Sequence, residues 1–223
     1  MGDVFEDLLS ELDLARLPSG RHGLPRSFVE RNQRLRIAIA LLRVLPGRGY
    51  AAATIGDITA EASVSRAAFY RHYSDKEDCF LATFDLCSDW FCERVEAAVA
   101  EAPDWRERIR AGVVEALALL GANPVVAHLI AIEGAQAGRM GRERRDALLE
   151  RFAACLRADH PGRPDLPDDL ADLLLGGVVS LIARYVDRGD TEHLPEATRT
   201  LVEYLLIPYL GGEEAAAAAG EPS

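Results

Sequence analysis

Arg66, Tyr70, Arg71 and His72 fall within seven residues, and Lys76, the only lysine of the chain, follows four residues later. Guanidinium, ammonium, phenol and imidazole groups gathered this closely suit recognition of a phosphodiester backbone and of base edges. A guanidinium pairs with both acceptors on guanine, so Arg66 is the base-reading candidate. Tyr70, Arg71 and His72 suit phosphate or mixed contacts, and the small Ala67 and Ala68 let a helix approach closely or touch a thymine methyl. The alternative is an ordinary helical pair with a solvated arginine and a half-buried tyrosine.

Local signals place these side chains on two short helices. Thr54 precedes Ile55 and Ile58 with Asp57 three residues on, a capping-box pattern that starts a helix over about Ile55 to Ala62. Ser63-Val64 breaks it, Ser65 is a second N-cap, and a helix over about Arg66 to His72 comes next. Ile55, Ile58, Ala62, Val64 and Phe69 form a small core between the two. Helices this short joined this tightly fit a helix-turn-helix, with Thr54, Ser65, Arg66, Ala67, Ala68, Tyr70, Arg71 and His72 on or beside the DNA face. Ser74 and Glu77 read as a further capping box that opens a long helix to about Ala100. Lys76 in its first turn is expected to meet a phosphate there, the alternative being a solvated lysine beside Asp75.

Gly49-Tyr50, Thr54, Ile58, Ala62, Val64-Ser65, Phe69-Tyr70, His72-Tyr73 and Lys76-Glu77 together resemble the TetR family of bacterial transcription regulators over about Gln33 to Phe84. The resemblance implies an all-α chain: an N-terminal helix-turn-helix DNA-binding domain followed by a helical ligand-binding and dimerisation domain. It implies a homodimer on double-stranded operator DNA, a palindromic operator and repression relieved by a small-molecule effector. Two departures stand out. Ser63 occupies the turn where the family usually has glycine, so a left-handed backbone there is strained. Pro46 falls near the end of the first helix and predicts a bent or missing last turn.

Net charge is −11. Residues 26–76 hold nine basic and four acidic residues, a local +5 that leaves −16 on the remainder. A basic head on an acidic body turns the head toward DNA. No apolar run reaches 18 residues and the acidic start lacks a basic leader, so a cytoplasmic protein with no membrane partner is expected. The four cysteines lack paired zinc spacing, and none of the five histidines sits in a metalloprotease or nucleophile-elbow context. We therefore expect no metal, no cofactor and no enzymatic activity. The competing reading is a DNA-binding architectural or cell-cycle protein on the same fold, with no effector.

Four segments are expected: an N-terminal extension over 1–23, either an amphipathic helix or a floppy tail, the DNA-binding domain over 24–80, the helical ligand-binding and dimerisation domain over 81–210, and a disordered low-complexity tail over 211–223. The first helix is placed at Arg26 to Leu45. Gly134 to Gly141 reads as a glycine-rich loop without a phosphate-binding pattern, and Pro161 to Pro167 as a connector. Candidate pocket residues are Phe84, Cys87, Phe91, Leu117, Leu120, His128, Ile132 and Phe152, with His128 and Glu133 as the polar groups that orient a hydrophobic or amphipathic ligand. Packed core is the alternative for most of them. Leu173, Gly177 and Ser180 on one of the last two helices and Leu201, Leu205 and Tyr209 on the other are the expected dimer interface, as halves of a two-fold four-helix bundle. The alternative is that this pair packs only on its own body.

Overall fold

The computed structural model describes residues 26–158, 160 and 166–220, with side chains from residue 29 onward. The expected N-terminal extension and most of the connector lie outside the described residues. Every regular element described is helical: α1 Arg26–Ala52, α2 Ile55–Glu61, α3 Arg66–Phe69, α4 Lys76–Ala100, α5 Trp105–Ala122, α6 Pro124–His128, a π-helical turn Leu129–Glu133, α7 Gly134–Gln136, α8 Gly138–Arg157, α9 Leu170–Arg188, a 3-10 segment Thr191–Ala197, α10 Thr198–Leu210 and α11 Gly212–Gly220.

α1 is buried on every side from Ile37 to Leu42, because α2, α4 and the stretch of α6 with its π-turn all pack on it. It runs past Pro46 and breaks at Gly49 (φ 70°, ψ 160°). The expected bend is therefore present, but glycine makes it, three residues beyond the proline. α4 joins the head to the body. The boundary placed near residue 80 falls inside this helix, and one continuous core reaches from Leu35 to Leu201 across it. A second core gathers Trp105, Leu174, Leu205, Leu206 and Tyr209 at the far end of the body.

Three segment readings are corrected. The expected Gly134–Gly141 loop is helical apart from a break at Ala137, with Gly138 at φ 78° opening the next helix. Its glycines serve close packing: a Cβ on Gly134 would meet the Phe84 ring at 2.9 Å. The expected disordered tail forms α11 over 212–220, which packs on α10 and α5. Ala215 is fully buried there, Arg106 pairs with Glu214 at 2.6 Å, and the alanine run favours helix. The second helix of the head is shorter than expected, ending at Phe69.

No single helix among the described residues is long and apolar enough to cross a membrane.

Candidate DNA interface and apolar cavity

The head is assembled by local hydrogen bonds. Thr54 Oγ1 accepts from the Asp57 amide at 3.2 Å, and the Asp57 carboxylate accepts from the Thr54 amide at 3.0 Å, closing a capping box. Ser65 caps α3 by accepting from the Ala68 amide at 3.0 Å. Ser63 between the two helices has φ 51°, the left-handed backbone the sequence implied. Arg36 steadies that turn by donating to the carbonyls of Ala62 (2.5 Å) and Ser63 (3.3 Å).

Thr54, Ser65, Arg66, Ala67, Tyr70 and Arg71 are exposed on this surface. Tyr70 is 56% exposed, so its ring is available to a partner instead of being committed to the core. His72 is half-buried, its Nε2 3.0 Å from Gln33 Oε1, and Arg71 donates to the same oxygen at 3.4 Å. Burial holds the His72 imidazole below its ordinary pKa, and Arg34 and Arg71 push the same way. It is therefore a neutral hydrogen-bonding group at neutral pH. Gln33, on α1, has no local sequence signal, because its partners lie 38 and 39 residues away.

Two of the expected DNA contacts are corrected. Ala68 is buried beside Phe69 and seats α3 on the core instead of facing outward. Lys76 Nζ donates to the carbonyls of Tyr50 (2.6 Å), Ala53 (2.9 Å) and Ala51 (3.4 Å), and lies 4.3 Å from the Tyr50 ring centroid. Its charge is satisfied by the frayed end of α1, not held out for phosphate. The cap of α4 is also one residue on from expectation: Asp75 accepts from the Asp78 amide at 2.8 Å.

The body holds a part-open cavity of about 150 Å³ among α4, α5, the π-turn, α8, α9 and α10. Its wall is apolar except for Glu96, Arg108, Arg151 and Cys155, which are exposed or half-buried at its edge. Of the expected pocket residues, Phe91, Leu117, Leu120 and Phe152 line it. Phe84, Cys87, His128 and Ile132 do not. Phe84 and Cys87 are fully buried closer to the head, where burial pushes the Cys87 thiol up to about 12. The wall that sequence reading missed comes from α8 and α9, through residues such as Leu148, Val178 and Ile182. The 3.6-residue apolar repeat marks those positions as buried but cannot separate cavity wall from solid core.

His128 and Glu133, expected to face a ligand, instead face each other: His128 Nε2 lies 2.9 Å from Glu133 Oε1. Glu133 Oε2 accepts from the backbone N–H of Tyr50 at 2.9 Å. Both groups are thus engaged between body and head.

On α9, Leu173 is 68% exposed, and Gly176 and Ser180 lie open beside it. On α10, Leu201, Leu205 and Tyr209 are buried against their own chain, which corrects their place in the expected interface. Tyr204 and Ile207 are the large residues that α10 leaves exposed, at 38% and 47%. Gly177 has the Tyr204 hydroxyl directly over it.

A chain built this way carries a helix-turn-helix on an all-helical body. A family model described as "Bacterial regulatory proteins, tetR family" matches residues 40–83. A curated relative, the HTH-type transcriptional activator FasR of Mycolicibacterium smegmatis, is 34% identical over 90 residues, 40% of this chain and 39% of the relative. The chain thus spans well under half the length of the curated relative it matches. The crystal structure of the transcriptional regulator FadR from Bacillus subtilis in complex with stearoyl-CoA shares the fold at TM-score 0.69 and 18% identity, over 79% of this chain and 98% of that one. The fatty acid degradation regulator FadR from Bacillus halodurans does so at TM-score 0.70 and 19% identity, over 78% and 94%. Residues 40–83 thus match the TetR-family model, and over the rest of the chain the likeness to these regulators is one of fold.

Proposed function

We propose that the protein is a homodimeric, sequence-specific transcriptional regulator whose hold on a palindromic operator is switched by an acyl-chain molecule. The observation that carries this reading is the apolar cavity with its charged groups confined to the edge. An amphipathic ligand places its chain inside and its anionic head near Arg108 and Arg151. Two fold relatives, one bound to stearoyl-CoA and the other named a fatty acid degradation regulator, support the same class of ligand. A cavity of about 150 Å³ takes a benzene-sized guest in an engineered core. A long chain needs more room, so binding has to part the helices around it. α4 is one of those helices, and it runs on into the head.

The DNA face consists of Thr54, Ser65, Arg66, Ala67, Tyr70, Arg71 and His72, with α3 in the major groove. The dimer forms through the exposed face of Leu173, Gly176, Ser180, Tyr204 and Ile207. Ligand binding favours one separation of the two heads, and only such differential affinity releases DNA. Release from a repressing site is the default we assign. The FasR relative is named an activator, and a DNA-binding regulator of this kind acquires either sign from where its operator lies.

The test is operator binding in the presence of saturated acyl-CoAs and free fatty acids of increasing chain length. Each added methylene contributes about 0.8 kcal/mol, so potency should rise about fourfold per carbon until the cavity is filled. An operator affinity indifferent to every chain length would sink the acyl reading and favour the effector-free alternative.

A further inference from the structure

We propose that Glu133 is the positioning residue that couples the apolar cavity to the DNA-binding head, through its hydrogen bond to Tyr50. The proposal rests on the regulator reading above and assigns the relay within it. A carboxylate removed from water is costly unless its oxygens are paired. Glu133 is 1% exposed, and each of its oxygens has a partner on a different element. Oε1 meets His128 of α6 at 2.9 Å, and Oε2 accepts from the Tyr50 N–H of the head at 2.9 Å.

The head is shaped to receive it. In an unbroken α1 the Tyr50 N–H would bond to the Pro46 carbonyl. The kink at Gly49 frees it, and the bare Gly49 backbone lets the carboxylate close in: Oε1 lies 3.6 Å from where a Cβ would stand. On its other side the Tyr50 carbonyl accepts from Lys76 of α4 at 2.6 Å. The Tyr50 ring packs edge-on against Phe80 of the same helix, centroids 4.8 Å apart. One residue of the head is therefore gripped by the body through its N–H and by the connecting helix through its carbonyl and ring.

The cavity end of the relay is three residues away in sequence. Ile130 lines the cavity and shares the π-turn Leu129–Glu133 with Glu133. Single π-turns within α-helical stretches gather at functional sites, and closing one to an α-turn moves the residues after it by about one residue's rise, ~1.5 Å. A guest that displaces Ile130 thus moves the Glu133 carboxylate by enough to break its bond to Tyr50. The end of α1 is then released from the body and is free to turn the head.

The experiment places an apolar chain in the cavity of the full-length protein without assuming the natural effector. Cys155 lines the cavity and is exposed, whereas Cys79, Cys87 and Cys92 are buried. Decyl methanethiosulfonate therefore tethers a decyl chain at Cys155: the thiolate attacks the decyl-bearing sulfur, a disulfide forms and methanesulfinate leaves. In the wild type the tether should change affinity for an operator selected from random DNA by about tenfold or more, and alter amide exchange over 49–53. Glu133→Met, which removes both acceptors, should reduce the tether's effect to less than about twofold, while Glu133→Gln, whose amide oxygen still accepts from Tyr50, should keep most of it. Equal coupling in wild type and Glu133→Met would overturn the proposal. So would unchanged exchange over 49–53 in the tethered wild type, a measurement that decides the matter even if Glu133→Met does not fold. A tether that acts where free acyl-CoAs do not would support the relay and reject the ligand class alone.

Discussion

The ammonium of Lys76 lies 2.6 Å from the carbonyl oxygen of Tyr50, across 26 residues of sequence and on the far side of the helix-turn-helix. With the Ala51 and Ala53 carbonyls also in reach, Lys76 works as a cap on the open end of α1. A cation in the first turn of α4 is unfavourable toward that helix's own dipole, and the three carbonyls offset this. Lys76→Met is expected to destabilise the protein by about 1.5–3 kcal/mol, the usual worth of a hydrogen bond to a charged group. Urea unfolding measures it. The salt dependence of operator binding should keep the wild-type slope, because no phosphate contact is lost; a slope reduced by about one would return Lys76 to the DNA face.

Ser63 holds a left-handed backbone with φ 51° that glycine adopts without a Cβ penalty. Ser63→Gly should raise stability by about 1 kcal/mol, part of the ~1–2 kcal/mol cost of that conformation being relieved. Thermal unfolding reads the gain. Operator affinity should not change, since the turn already has the shape that glycine prefers.

Arg66 stands exposed at the start of α3, and its Nη2 would lie 3.1 Å from a Cβ on Gly56. The bare backbone of Gly56 leaves room for the guanidinium beside α2. Arg66→Ala should cost about 1–3 kcal/mol at one base pair of the operator and relax preference there. Arg66→Lys should not restore it, because an ammonium cannot make the two-point contact. Binding to a library of single-base operator variants would show a uniform loss instead if Arg66 touched only phosphate.

His72 titrates in the opposite sense to a paired histidine. Burial first, then Arg34 and Arg71, hold its pKa below the ordinary 6.5. The folded protein therefore binds fewer protons than the unfolded chain in that window. Its contribution to stability is complete above 6.5 and is lost as the pH falls through the lower folded value. Melting temperature followed over this range should decline toward acid more steeply in wild type than in His72→Phe. Parallel curves would mean that His72 is freely protonated in the fold.

The head was legible because its instructions are local. Thr54 and Asp57, or Ser65 and Ala68, sit three residues apart, and a cap needs nothing beyond that spacing. Ser63 announced its strained backbone by standing between two helices with no glycine available. Apart from local slips in helix ends and in the tail, the misreadings concern partners distant in sequence. Lys76 has the composition of a phosphate ligand, but its carbonyl partners are 23 to 26 residues away. Gly134 and Gly141 look like turn residues, yet their function is to admit Phe84 and Ala137. Leu205 and Tyr209 carry the apolar character of an interface, but α10 turns that face to α5 and α11 and presents Tyr204 and Ile207 outward. Glu133 stands out as a polar residue in an apolar stretch; that its partner is a backbone amide in the other domain depends on the kink at Gly49.

The cavity has a consequence for how much of the protein a cell holds. Its walls leave about 150 Å³ that no side chain fills. A sealed gap of that size would lower folding stability by roughly 3–4 kcal/mol at about 24 cal/mol per Å³, and this part-open one costs less. A solid plug of leucine and phenylalanine would have made a sturdier body with no room for a guest. Any guest that fills the space restores part of the deficit, so occupancy also shields the chain from proteolysis. If the proposed acyl-chain effector is that guest, the number of protein molecules and the signal they carry are tied to the same small molecule.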